Sequence, residues 1–296
     1  MLKKSHRILL PPHEGGEFDH ADVYLPTGVV FAAHTTNGTV DVIDGISKSY
    51  LYSVEDCPGG SGVLSGRLSP VIFAASRSNG HILEINARTG QIELKFNTGP
   101  KPNGLALDEE RRHLMVADVE DNRARFHDTV SGKSIGTVEL RGRPRWAAYN
   151  SDLDEFMVNI RDPSGVEFIQ GRTLKSARFV SISHKGPHGL AIHNNTAYVA
   201  CDDGFLTTID LQTLEERESA ELAGPPDVLW YNVRKDLVYC AVGEPGMLQV
   251  FSGKTLEKLQ EISTEYGAHT FAFDEKRQAL YVLLPESCAA DVYMEE

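Results

Sequence analysis

The chain has 296 residues, and 42 acidic against 29 basic side chains give it a formal net charge of −13. That excess repels phosphate backbones and anionic bilayers, so nucleic acid and membrane surfaces are excluded as expected partners. No apolar run reaches the length of a signal-peptide core or a membrane span, and the chain as written is expected to be soluble and cytoplasmic.

The first segment, residues 5–12, contains the strand-like HRILLPP and stands ahead of a repeat that fills the rest of the chain. Each repeat carries a short apolar run, a polar turn, a second apolar run, a loop rich in Gly or Asp, and a third run. Units one and two show strand alternation in TVDVIDG and HILEIN. Unit three reads PNGLALDEERRHLMVADVEDN, unit five PHGLAIHNNTAYVACDDGFLTTID, unit six PPDVLWYNVRKDLVYCAVGEPGMLQVFSG and unit seven GAHTFAFDEKRQALYVLLPE. The residues just ahead of the first run in each unit are His20, Ser61, Asn103, Arg145, His188, Asp227 and His269, at intervals of 41, 42, 42, 43, 39 and 42. Seven units of about 42 residues, each with room for four strands, predict an all-β, seven-bladed β-propeller in one domain spanning residues 1–296. The last unit is too short for a fourth strand, so residues 5–12 are expected to complete blade seven and close the ring.

The repeats resemble the YVTN family of β-propellers, and PNGLALD with LMVAD, PHGLAI with AYVACD, and VDVID carry the likeness. It covers nearly the whole chain and implies the architecture rather than an activity. The Gly-His and Trp-Asp signatures of WD-repeat propellers are missing. PNGLA is also similar to an element of gluconolactonases of the senescence-marker type, in which blade residues hold a divalent metal, but that likeness stops at one blade.

In a propeller the seven aligned residues face one another around one mouth of the central channel, and none of them here is apolar. Blades five, six, seven and one contribute His188, Asp227, His269 and His20, three imidazoles and a carboxylate suited to Zn²⁺, Mn²⁺, Fe²⁺ or Cu²⁺, with Asp19 as a partner for an imidazole N–H. Without a metal, histidines in such a mouth hydrogen-bond water and loop backbone. A second tier follows the second strand of each blade: His34, Arg77, Asp118, Arg161, Asp162, Asp202, Glu244 and Glu286. Arg145 with Arg77 and Arg161 makes a cationic half that suits a small anionic ligand, with Asn103, His34 and Glu244 as further ligand-binding candidates. His188, His269 and Arg145 are the candidate catalytic residues.

GGSG at 59–62 is not followed by a phosphate-loop pattern, so no nucleotide cofactor is expected, and no Gly-x-Ser-x-Gly elbow is present. The four cysteines, Cys57, Cys201, Cys240 and Cys288, lack zinc or disulfide spacing and read as buried thiols. The residues thus point to a polar mouth acting on a small anionic substrate by lactonase-, lyase- or isomerase-like chemistry. Fungal-type muconate cycloisomerases, phosphogluconolactonase-like propellers and streptogramin lyases are the analogies. The alternative is a non-catalytic module binding a ligand or a partner protein. Rim aromatics, which a protein-binding face favours, are sparse apart from Phe205 and Trp146.

Overall fold

A computed structural model describes residues 1–296 and contains 28 β-strands and no helix. They form seven four-stranded antiparallel sheets, the blades of a closed ring. The innermost strands are Ala21–Tyr24, Gly60–Ser65, Pro102–Asp108, Pro144–Asn150, Pro187–His193, Pro226–Asn232 and Phe271–Asp274 in blades one to seven.

The second strand of each blade explains why the ring must close. In blade seven it is Ala279–Leu284 (ALYVLL), buried along its whole length. Its side chains alternate between faces: Tyr281 and Leu283 join the apolar cluster shared with blade one, while Leu280, Val282 and Leu284 join the one shared with blade six. The same partition recurs around the ring and gives seven clusters, one at each junction between blades. A sheet that is apolar on both faces is stable only between two others. The outermost strands, such as Ile92–Asn97 (IELKFN) and Glu216–Glu221 (ERESAE), are mostly polar and exposed because they form the rim.

Blade seven takes its outermost strand from the N-terminus, as its short repeat predicts. Leu2–Leu9 pairs antiparallel with Ala289–Glu295, from Leu2 opposite Glu295 to Leu9 opposite Ala289. The strand begins three residues before the expected residue 5 and ends before the prolines, which cannot donate to a ladder. Leu2 and Ile8 point inward and are buried, and Arg7 bridges both oxygens of the buried Asp291, Nε at 2.7 Å and Nη2 at 3.0 Å, with Lys4 Nζ at 2.5 Å. Burial alone would raise the Asp291 pKa, but the Arg7 and Lys4 contacts outweigh it and hold the carboxyl below its ordinary range.

The cysteines are all free, and three of them are buried. Cys201 and Cys240 lie in second strands, whereas Cys57 precedes an innermost strand and Cys288 occupies a turn.

Ile8→Ala is expected to cost about 2–4 kcal/mol in urea denaturation, the range for a large-to-small change at a buried site. Deleting residues 1–9 is expected to cost more, because it also bares the ladder edge of Ala289–Glu295 and leaves Asp291 without its cations. A deletion variant as stable as the Ile8→Ala protein would show that the N-terminal strand is not what closes the ring.

Candidate functional site at the channel mouth

Five of the seven aligned residues owe their position to a break in strand pairing. In blade three Pro102 opposes Asp118, but Leu105 opposes Val116, so one extra residue sits in the inner strand around Asn103. The same irregularity falls after Gly60, Pro144, Pro187 and Pro226 in blades two, four, five and six. A bulge of this kind re-aims a side chain off the ladder, here into the mouth. His20 and His269 reach it differently, just ahead of the first paired residues, Ala21 and Phe271.

The glycine of the PNG and PHG motifs has a steric reason. A Cβ on Gly104 would lie 2.4 Å from the carbonyl oxygen of Arg145, and one on Gly189 would lie 2.5 Å from that of Asp227. Each glycine therefore lets the next blade bring the backbone of its own mouth residue against the inner strand. Blade four has Trp146 in place of that glycine. Its indole instead lies against His20, the ring centroids 4.3 Å apart.

Twelve residues line a cavity of about 370 Å³ at this mouth, and six of the seven aligned residues are among them: His20, Asn103, Arg145, His188, Asp227 and His269. Ser61 is the exception, buried with its hydroxyl donating to the Pro102 carbonyl at 2.9 Å. Arg77 also lines the cavity. Its Nη2 reaches Asp19 Oδ2 at 2.8 Å and hydrogen-bonds the Asn103 side chain.

Asp227 is clasped between two imidazoles. His188 Nε2 lies 2.9 Å from Oδ1 and His269 Nε2 lies 3.5 Å from Oδ2. Neither contact is an aligned hydrogen bond, and Oδ1 is buried without a donor. The far nitrogen of each ring is anchored: Nδ1 of His188 by Asp202 Oδ1 at 3.0 Å, Nδ1 of His269 by the Gly267 carbonyl at 2.8 Å. Arg161 stands behind, with Nε 3.0 Å from Asp202 Oδ2.

Burial disfavours the charged form of His188, but the Asp227 charge and the Asp202 hydrogen bond outweigh it and raise its pKa to about 9. Burial would likewise raise the Asp227 pKa, yet facing His188, with His269 and His20 beyond, holds it far below the usual carboxylate range. His20 differs, since burial lowers its pKa and the nearby Asp19 and Asp227 do not compensate. His188 is therefore a cation at neutral pH, which suits it to donate a proton rather than to accept one. Burial also lowers the Arg145 pKa, helped by the neighbouring Arg143, and its Nε is buried without an acceptor, as is that of Arg77.

Two further candidates lie elsewhere. His34 is fully buried inside blade one, with Nδ1 2.8 Å from Asp41 Oδ2 and Nε2 against His13, and Glu244 accepts from the Tyr266 hydroxyl on the rim. Neither lines the cavity, and nor does Arg161 behind Asp202. Lys101, Arg143 and Glu17 do line it, though no expectation pointed to them. Their signal was available for the two cations: each stands two residues ahead of a mouth residue, in Lys101-Pro102-Asn103 and Arg143-Pro144-Arg145. Phe205 stacks on His184, ring centroids 4.3 Å apart.

Across the chain, no group of three or more His, Cys, Asp or Glu side chains is arranged to hold a metal ion. At the mouth, His20 Nε2 lies 3.4 Å from Asp19 Oδ1, while the Nε2 atoms of His188 and His269 both lie against Asp227.

Asp227→Asn is expected to lower the His188 pKa. In the wild type, a histidine whose folded pKa exceeds its unfolded value of 6.5 stabilises fully below 6.5, and that contribution fades as pH rises towards about 9. Urea denaturation between pH 6 and 10 should show this decline in the wild type and a clear reduction of it in Asp227→Asn. Equal declines in the two proteins would contradict the pairing.

No family model matches the chain, and no curated protein matches it. Among solved structures, a chain from "Crystal Structure of Mitotic Checkpoint Complex" superposes with a TM-score of 0.85 at 12% identity, covering 99% of this chain and 91% of that one. A chain of Kuenenia stuttgartiensis hydrazine synthase gives a TM-score of 0.84 at 11% identity, covering 97% of each. At such identities the likeness shows a seven-bladed β-propeller, and a fold does not by itself fix a function.

Proposed function

We propose that the channel mouth binds a small molecule carrying a carboxylate or phosphate, and that its imidazoles move a proton on that molecule. The observation that carries this reading is the set of unpaired cations. Lys101, Arg143 and Arg145 line one cavity, and none has a carboxylate within 4.0 Å, in a protein whose net charge is −13. The buried, unpartnered Nε of Arg145 adds a donor that an anionic oxygen would satisfy.

With the anion held by Arg145, Arg143 and Lys101, protonated His188 is the acid and Asp227 stabilises its charge. His269 is the second imidazole on the same carboxylate and the group through which a proton can be taken up. Lactone opening, elimination and isomerisation each need such a proton transfer beside a carboxylate. The same residues without turnover make a ligand-binding module, and activity on lactones and unsaturated carboxylates separates the two readings. His20, His188, Asp227 and His269 are also the residues that would hold Zn²⁺, Mn²⁺, Fe²⁺ or Cu²⁺. As placed, each of their free imidazole nitrogens faces a carboxylate oxygen. We also infer kinship with YVTN-type repeats, which the PNGLALD and PHGLAI motifs support.

Calorimetric titration with maleate and with inorganic phosphate tests the anion reading. Arg145→Ala should weaken the preferred anion about 10- to 100-fold, the range for losing a charge-assisted hydrogen bond. Wild-type affinity should fall as pH rises through about 9, where His188 loses its proton. Binding of neither anion, or affinity unchanged in Arg145→Ala, would overturn the proposal.

A further inference from the structure

Below the polar mouth the central channel holds a second cavity of about 420 Å³, and 17 of its 24 lining residues are hydrophobic. His20 borders both cavities and, with Trp146 against it, forms the partition between them. The chain has two tryptophans, and both line this lower cavity. At its far end Trp230 lies beside Arg67, whose guanidinium carbon is 5.7 Å from the indole centroid. The Trp230 N–H is buried without an aligned hydrogen bond, and the Glu275 carboxyl lies close enough for the indole to favour its charged form.

The charged groups of this end are already engaged or held back. Arg67 contacts Asp22 at 3.5 Å, and Glu109 accepts backbone N–H groups from Arg67, Leu68 and Ser69 at 2.7–2.9 Å. Burial raises the Glu275 pKa and favours its neutral form. The rim carries exposed apolar side chains, Val233 among the lining residues and Leu68 next to Arg67. Hydrocarbon walls, charges already held by partners or by burial, and one indole donor without an aligned acceptor define the chemistry of an occupant, and the volume falls in the range of small-molecule sites.

We propose that the lower channel is a second, independent binding site, for a neutral apolar molecule with one carbonyl or hydroxyl oxygen, entered from the face opposite the polar mouth. The oxygen accepts from the Trp230 N–H while the body of the molecule packs against Leu64, Leu105 and Leu107 on one side and Ile192 and Leu229 on the other. An anion is disfavoured here by desolvation, and a charged ligand goes to the mouth above.

The test uses Prodan, a neutral naphthalene ketone whose emission reports polarity and hydrogen bonding. It is titrated into the whole protein while tryptophan emission is followed. Expected are one saturable site, a blue shift of the probe and quenching of tryptophan. Trp230→Phe should weaken binding roughly 5- to 10-fold, the value of one neutral hydrogen bond. Arg145→Ala should leave Prodan affinity unchanged, which separates this site from the mouth. Absence of saturable binding, equal affinity in Trp230→Phe, or equal competition by the anionic anilinonaphthalene sulfonate would overturn the proposal.

Discussion

A four-stranded sheet with apolar side chains on both faces has no side it can leave in water, and every other feature of this molecule depends on that constraint. Tyr281 and Leu283 face one neighbour while Leu280 and Val282 face the other, so each blade needs two partners and the array must end where it began. The N-terminal strand completes the last sheet against Ala289–Glu295, with Arg7 and Lys4 on Asp291 fixing the join. Closure then brings seven inner strands around one axis. Residues far apart in sequence, such as His20 and His269, become neighbours of one carboxylate.

The axis is divided by chemistry. Above the His20–Trp146 contact the channel carries Arg77, Arg145, His188, Asp227 and His269; below it the walls are Leu, Ile, Val and Ala with two indoles. The upper half concentrates positive charge in an acidic protein, and it does so around a carboxylate that keeps His188 protonated. Water is a poor competitor for an anion in a walled cavity, where Coulomb attraction is screened less than at an open surface.

Much of this was legible before any coordinates. The repeat interval and the missing fourth strand of unit seven were enough for blade number and ring closure, because both follow from chain length and burial. Alignment of the units placed His20, Asn103, Arg145, His188, Asp227 and His269 at one mouth, since equivalent positions in a ring must converge. The second tier was harder to read. Arg77 lines the mouth and Asp202 anchors His188 behind it, whereas His34, at the equivalent position of blade one, turns onto Asp41 inside its own blade. Loop-end polarity does not encode rotamer direction, so sequence cannot separate these cases. The bulge at Asn103 and the close approach at Gly104 are likewise pairing geometry, visible in PNG only once the neighbouring Arg145 backbone is in place.

We propose that His188 is a cation held by Asp227 and Asp202 beside a mouth that takes up an anion. The direct measurement is a ¹⁵N spectrum of the imidazole rings at pH 7, assigned with His188→Gln, with and without added dicarboxylate. The account predicts that both ring nitrogens of His188 are protonated in the free protein and that their signals move as the anion saturates. A neutral His188 ring whose signals ignore the anion would contradict it.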